Sequence, residues 1–116
     1  MAGGERLVAR SEALAERGPG VRFTIARRGQ VLPAFAVRYQ GIVRAFVNAC
    51  AHEGVELDWE EGMFFDAMAH HLVCATHGAL YEPSSGRCTG GPCKGRSLEP
   101  VEVAERDGRV WLLAGG

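Results

Sequence analysis

Two short segments of the sequence each place a cysteine close to a histidine. One residue separates Cys50 from His52, and two residues separate Cys74 from His77. Thiolate sulfur and imidazole nitrogen are metal ligands, and in a short loop both side chains of a pair can converge on one centre. Cys50, His52, Cys74 and His77 are therefore candidate ligands of one metal centre.

A glycine follows each histidine, since Gly54 lies two residues after His52 and Gly78 directly follows His77. Glycine lets the backbone approach a bulky ligand and donate N–H groups to it. A tetrahedral zinc ion also takes two cysteines and two histidines, so zinc, an iron–sulfur centre and a metal-free structural set all stay open. Zinc fingers usually pair like ligands along the chain, whereas each segment here supplies one of each. This alternation favours a cofactor that bridges the two segments.

The sequence resembles the Rieske family of iron–sulfur proteins, whose pattern is C-x-H-x-G followed by C-x-x-H-G and an aromatic residue. The two motifs read CAHEG (50–54) and CATHGALY (74–81) here, and GRCTGGPCKG (86–95) resembles the family's third loop, with Pro92 covering the cofactor. The resemblance implies one 2Fe-2S cluster per chain, with two cysteines on the inner iron and two histidines on the outer iron. By this resemblance, Cys50 and Cys74 bind the inner iron, and His52 and His77 bind the outer iron. It also implies that the histidine side faces solvent.

The chain departs from the membrane-bound respiratory members of that family. Those proteins carry a further cysteine in each ligand loop, and the two form a disulfide, but Val55 and Thr76 occupy the matching positions here. They also carry a serine directly after the His-Gly pair, where this chain has Ala79. These differences exclude the disulfide-bridged, high-potential subtype of the family. Tyr81 remains available to donate its hydroxyl proton to a cysteine sulfur.

Four further residues of ligand type are not assigned to the centre. Cys88 and Cys93 are predicted to be reduced thiols packed under the ligand loops, with a disulfide or redox-sensing pair as the alternative. His70 and His71 precede the strand that leads into Cys74, and adjacent residues on a strand point to opposite faces. We therefore expect one of these histidines to face solvent and the other to be packed.

The elements that must position the loops have a hydrophobic period of two, which predicts β-structure. Three runs rich in β-branched and aromatic residues predict a meander: 21–26, 34–39 and 42–47. A second hairpin is predicted from 101–105 and 109–113. Three glycine-containing connections predict tight turns: Arg28-Gly29-Gln30, Gln40-Gly41 and Asp107-Gly108. The one helical candidate is 11–17, which has Ser11 as a possible N-cap and ends before Gly18-Pro19.

We therefore expect a small all-β, antiparallel, Rieske-like domain that spans residues 1–116. Its base strands come from about residues 1–48 and 97–116. A cluster-binding subdomain of about residues 49–96 is inserted between them and consists of two hairpin loops and the proline loop. All four histidines and all four cysteines lie in this insertion.

Composition excludes several classes of function. The chain has 116 residues, 12.5 kDa and a formal net charge of -1. Its basic residues are spread along the sequence, which argues against nucleic-acid binding. No segment is apolar enough to span a membrane, and a cytoplasmic protein is predicted.

The resemblance implies a ferredoxin-like component that passes electrons from a flavin reductase to an oxygenase or related redox enzyme. Such a component is not a catalyst on its own. A small subunit of a nitrite-reductase-like complex is the alternative role, and a structural zinc-binding module is the alternative from another class. A complete oxygenase would need a mononuclear iron site as well, and the sequence has no spare set of two histidines and one carboxylate for it.

Overall fold

The computed structural model describes residues 5–51, 54–58, 60–76, 78–91 and 95–113, and within them nine strands form three antiparallel sheets. The first sheet has the order β2-β3-β4 and consists of Val21–Arg27, Gln30–Tyr39 and Ile42–Val47. The second has the order β1-β9-β8 and consists of Arg6–Arg10, Arg109–Leu112 and Val103–Arg106. The third has the order β5-β6-β7 and consists of Leu72–Val73, Leu80–Tyr81 and Cys88–Gly90. The all-β antiparallel prediction is confirmed.

The three predicted hairpin turns are also confirmed. Each turn consists of a non-glycine residue followed by a glycine, and φ is positive at both. The pairs are Arg28-Gly29 (52° and 76°), Gln40-Gly41 (54° and 78°) and Asp107-Gly108 (54° and 72°). This pair of angles belongs to the two-residue turn whose twist matches that of the flanking strands. The turns therefore set the registers of the three hairpins, with Arg27 opposite Gln30, Tyr39 opposite Ile42 and Arg106 opposite Arg109.

Strand β3 is buried on both faces and forms the wall between two hydrophobic clusters. Phe35 and Val37 face a cluster that also contains Cys50 and Cys74, whereas Ala34 and Ala36 face a second cluster in the base of the fold. Successive side chains on a strand point to opposite faces, so one strand serves both clusters. The cluster in the base and the cluster around the cysteines thus pack against opposite faces of the same strand, β3.

The helix predicted over 11–17 is wrong. Only Ser11–Ala13 forms a single 3-10 turn, and the chain is extended at Leu14, with φ -117° and ψ 88°. Leu14 is buried in the base cluster, and Arg17 has a positive φ of 55°. The Glu16 carboxylate accepts the N–H groups of Gln40 and Gly41 at the β3–β4 turn, at 2.6 and 2.7 Å. These tertiary contacts outweigh a helix propensity that amounts to two turns at most.

Sequence reasoning missed strand β1, which pairs antiparallel with β9 from Arg6 opposite Leu112 to Arg10 opposite Arg109. The register shifts between Leu7 and Ala9, which marks a β-bulge, and this irregularity weakens the period-two signal in so short a run. The described residues include no helix with the length and hydropathy that crossing a membrane requires.

Arg38 on β3 joins the meander to the second sheet through Glu105 on β8. Its two terminal nitrogens donate to the two carboxylate oxygens at 2.9 and 2.6 Å, and its Nε donates to the Leu14 carbonyl at 2.7 Å. The hydrogen bond from Arg38 lowers the pKa of Glu105 from 4.5 to about 2.

Glu105→Gln is expected to lower the free energy of unfolding at neutral pH by about 1 kcal/mol, because the pair is partly exposed to solvent. A carboxylate whose pKa is depressed in the folded state stabilises the fold above its unfolded pKa, and this contribution falls away between about pH 4.5 and pH 2. Urea unfolding of both proteins across that range should show the difference closing as the pH falls. The exposed Glu102, changed to Gln, is the control, and a constant difference at all pH values would contradict the assignment.

Candidate metal centre

Two loops with the same hydrogen-bond pattern carry Cys50 and Cys74. In the first loop (residues 50–55), the Cys50 N–H donates to the Val55 carbonyl at 2.6 Å and the Gly54 N–H donates to the Cys50 carbonyl at 2.7 Å. In the second loop (residues 74–79), the Cys74 N–H donates to the Ala79 carbonyl at 2.9 Å and the Gly78 N–H donates to the Cys74 carbonyl at 2.7 Å. The two segments that the sequence singled out are therefore folded as matched turns.

The glycines of these loops are required by the backbone. Gly54 has a φ of 78° and Gly78 a φ of 72°, in the left-handed region that side chains with a Cβ rarely adopt. The second loop is the connection of a hairpin, because β5 ends at Val73 and β6 begins at Leu80. The first loop follows β4, and no strand continues directly from it in the described residues.

Both cysteines are buried in the cluster next to β3. Cys50 is 2% exposed and Cys74 is 0% exposed. The Tyr81 hydroxyl lies 3.2 Å from the Cys50 sulfur and accepts the Ala51 N–H at 2.9 Å. Because this hydroxyl oxygen already accepts a hydrogen bond, its own proton can point to the sulfur, as the sequence predicted. Tyr81 thus ties the first loop to β6 and supplies a donor to one cysteine.

Described residues of the third loop (residues 86–95), and the residue after it, contact the other two loops. The guanidinium of Arg96, just after this loop, donates to the Ala51 carbonyl at 3.1 Å. Gly91 packs so closely on the second loop that a Cβ at this position would lie 2.9 Å from the Cα of Ala79. The Ala75 N–H donates to the Leu57 carbonyl at 3.0 Å, which connects the second loop to the segment after the first. Three contacts therefore hold the loops together.

The two predicted histidine ligands, His52 and His77, lie outside the described residues, as do Pro92 and Cys93. Gly54, two residues after the first histidine, is exposed, as are Thr76 and Gly78 on either side of the second, whereas Ala51 directly before the first is half-buried. Within the described part of the chain, no group of three or more metal-ligating side chains occurs.

A family model described as the Rieske [2Fe-2S] domain matches residues 5–105, which is most of the chain. The chain belongs to the Rieske family. Its cofactor is accordingly the 2Fe-2S cluster rather than zinc. No curated protein sequence matches this Rieske domain.

Solved structures of low sequence identity have the same fold. The ferredoxin of carbazole 1,9a-dioxygenase from Nocardioides aromaticivorans IC177 is 23% identical, with a TM-score of 0.69 over 94% of this chain and 96% of that chain. A ferredoxin of Sphingomonas yanoikuyae B1 is 16% identical, with a TM-score of 0.70 over 94% of this chain and 97% of that chain. The terminal oxygenase of the same Nocardioides dioxygenase is 24% identical, with a TM-score of 0.71, but this chain spans only 29% of its length.

The residues of the two loops fit a 2Fe-2S cluster. The buried thiols of Cys50 and Cys74 are soft donors of the kind that iron–sulfur clusters take. A Cβ built on Gly54 or Gly78 would meet no described atom within 4 Å, so space is open beside each loop where the backbone can approach a bulky group. The Tyr81 hydroxyl lies within hydrogen-bond distance of the Cys50 sulfur, where it can stabilise a thiolate.

Of the remaining ligand-type residues that the structure describes, Cys88 is packed as the sequence predicted, whereas neither His70 nor His71 is fully packed. Cys88 is a buried thiol with no disulfide among the described residues, and its sulfur donates to the Gly90 carbonyl at 3.2 Å. His70 is exposed and His71 is half-buried. Partial burial alone would raise the pKa of Asp66, but the backbone N–H groups of His71 and His70 outweigh it and lower that pKa. These histidines therefore frame a surface turn rather than the metal centre.

Gly91→Ala is expected to lower the free energy of unfolding more than Gly95→Ala does. Both glycines have a positive φ, 89° and 95°, so each substitution costs about 1 kcal/mol of backbone strain. At Gly95 a Cβ meets nothing within 4 Å, whereas at Gly91 it collides with the second loop, which adds about 1–3 kcal/mol. Urea unfolding of the two holoprotein variants measures both free energies. Equal losses of stability would show that Gly91 does not pack closely against the second loop.

Proposed function

We propose that this Rieske domain carries single electrons from a flavin reductase to a terminal oxygenase. The observation that carries the proposal is the pair of matched loops, which bury Cys50 and Cys74 while Gly54, Thr76 and Gly78, near positions 52 and 77, are exposed. Such a site protects one side of a cofactor from water and leaves the other side open to a partner. Electrons can then enter and leave through the loop tips.

The proposed ligands are Cys50 and Cys74 for the inner iron, and His52 and His77 for the outer iron. Burial of the two thiols fits the inner position, because the apolar cluster keeps water from the sulfurs and the Tyr81 hydroxyl can donate to the Cys50 sulfur. The whole chain is proposed as one domain, with residues 49–96 as the cluster-binding part. A cytoplasmic location is proposed as well, since the reduced thiol of Cys88 suits a reducing compartment.

When bound, the cluster accepts and returns one electron. The residues of this chain then do three things. The apolar cluster around Cys50 and Cys74 excludes water from the thiolate side, the loop amides fix the position of the sulfurs, and the Tyr81 hydroxyl stabilises negative charge on the Cys50 sulfur.

A ferredoxin role is supported by likeness to whole ferredoxins. This chain matches 96% of the length of the Nocardioides ferredoxin and 97% of the Sphingomonas one. A solved complex of reduced oxygenase and oxidised ferredoxin in carbazole 1,9a-dioxygenase contains a chain of the same fold, at 21% identity and a TM-score of 0.69 over 92% of that chain. By analogy, an oxygenase is the partner that we propose for this chain.

The test is reconstitution of electron flow under anaerobic conditions. A flavin reductase with NADH should reduce this protein by one electron per chain, and a reduced sample mixed with an oxidised Rieske oxygenase should reoxidise in a single phase. Iron analysis of the same sample should give two irons per chain. A third iron, with product formed from an aromatic substrate without added oxygenase, would contradict the ferredoxin role.

A further inference from the structure

A buried polar pair lies beneath the first loop. Asn48 is 0% exposed and Asp58 is 7% exposed, and the amide Nδ2 of Asn48 donates to the Oδ1 of Asp58 at 3.0 Å. The Oδ1 of Asn48 accepts the Leu57 N–H at 2.8 Å, and the Oδ2 of Asp58 accepts the Gly62 N–H at 3.0 Å. Both terminal atoms of each side chain are therefore engaged.

These hydrogen bonds connect the two ligand loops by a short route. Asn48 lies two residues before Cys50, and its side-chain oxygen accepts the N–H of Leu57. The carbonyl of Leu57 in turn accepts the N–H of Ala75, the residue after Cys74. One residue, Leu57, thus links the backbone before the first cysteine to the backbone after the second.

Asp58 fixes the other end of this route. Its carboxylate accepts the N–H of Gly62 and lies 3.6 Å from the Nε of Arg22. The guanidinium of Arg22 also pairs with Glu56. Arg22 belongs to β2, so the charge of Asp58 is anchored to the edge of the first sheet. A buried carboxylate or amide without a hydrogen-bond partner lowers the stability of the fold. Loss of either side chain therefore leaves the buried polar groups that it bonded without a partner.

We propose that Asn48 and Asp58 are positioning residues that set the separation of Cys50 and Cys74 and thereby hold the cluster in this chain. The inference rests on the ligand assignment of the proposed function. The pair does more than fill space, because the hydrogen bonds of its two side chains join them to each other and to the segment between the two ligand loops, and the ion pair of Asp58 ends on Arg22 at the sheet edge. The base cluster, which contains Val110, has no part in it.

The test measures loss of the cluster to excess EDTA from the folded holoprotein, followed by visible absorption. Asn48→Ala is expected to lose the cluster about tenfold faster than the wild type, because one buried N–H and one buried carboxylate oxygen lose their partners. Val110→Ala is the matched control, since Val110 is 0% exposed in the base cluster and its truncation lowers overall stability without touching the loops. Equal rates for the two variants at equal stability would overturn the inference.

Two further variants separate positioning from overall stability, even where Asn48→Ala folds poorly. Asn48→Asp places two carboxylates opposite each other and should speed cluster loss about tenfold. Adding Asp58→Asn to it restores one amide and one carboxylate facing the same two backbone N–H donors, those of Leu57 and Gly62. Arg22 keeps its ion pair with Glu56, so the doubly exchanged protein should return to within about twofold of the wild type. Its electron paramagnetic resonance spectrum in the reduced state should also return to that of the wild type, whereas the spectrum of Asn48→Asp should be shifted or broadened.

The outcomes distinguish the inference from the function on which it rests. A wild-type protein without iron and sulfide would overturn the proposed ligand set itself. A wild-type protein that holds the cluster, together with an exchanged pair that behaves like Asn48→Asp, would overturn only the positioning role.

Discussion

Cys74→Ala is expected to abolish the visible absorption and the bound iron of this protein, because its buried sulfur cannot be replaced by water or by a neighbouring side chain. The same complete loss is expected for Cys50→Ala. The two predicted histidine ligands, changed to alanine, should also lose the spectrum, since an open iron position would be exposed at the loop tips. Iron and acid-labile sulfide analysis, with the absorption spectrum, measures all four variants.

Cys88→Ala is the control that separates loss of a ligand from loss of a buried thiol. Cys88 lies in the same apolar cluster as Cys50 and Cys74 and is 2% exposed, so its substitution removes a similar volume from the same core. A loss of about 1 kcal/mol in stability is expected from it, but the colour should stay. A colourless Cys88→Ala protein would make that cysteine a ligand, and a colourless wild type with one zinc ion would contradict the cluster altogether.

The candidate site could be predicted from the sequence because its determinants are local. Each ligand loop closes on itself through hydrogen bonds four and five residues apart, from Cys50 to Gly54 and Val55 and from Cys74 to Gly78 and Ala79. The spacing of the residue types therefore specifies the turn. The hairpins of the base follow the same rule, since Asp107-Gly108 carries its turn geometry in two residues.

Features that depend on distant parts of the chain escaped the same reasoning. The segment around Leu14 has a helical pattern, but its conformation is decided by burial in the base cluster and by the bonds of Glu16 to the β3–β4 turn. Strand β1 exists because β9, almost a chain length away, offers it a free edge. The contact between Asn48 and Asp58 spans an irregular segment, where no hydrophobic period indicates which side chains meet.

Tyr81→Phe is expected to lower the reduction potential of the cluster. The Tyr81 hydroxyl donates to the Cys50 sulfur, which becomes more negative when an electron is added, so the hydrogen bond favours the reduced protein. A difference of about 1 kcal/mol between the two oxidation states corresponds to roughly 40 mV, because a tenfold change in a one-electron equilibrium is about 59 mV. The same substitution leaves the Ala51 N–H without its acceptor, so cluster retention must be measured alongside the potential.

Tyr39→Phe is the matched control for this measurement, and voltammetry of the holoproteins at pH 7 is the assay. Tyr39 is also a buried tyrosine, 9% exposed, but it is the last residue of β3, beside the β3–β4 turn, and it is not a member of the cluster that contains the two cysteines. Its loss of a hydroxyl should leave the potential within about 10 mV of the wild type, since a neutral group outside the site has little differential effect on the two oxidation states. Equal potentials for all three proteins would mean that the Tyr81 proton does not point to the sulfur, and that this tyrosine serves only to hold the first loop through Ala51.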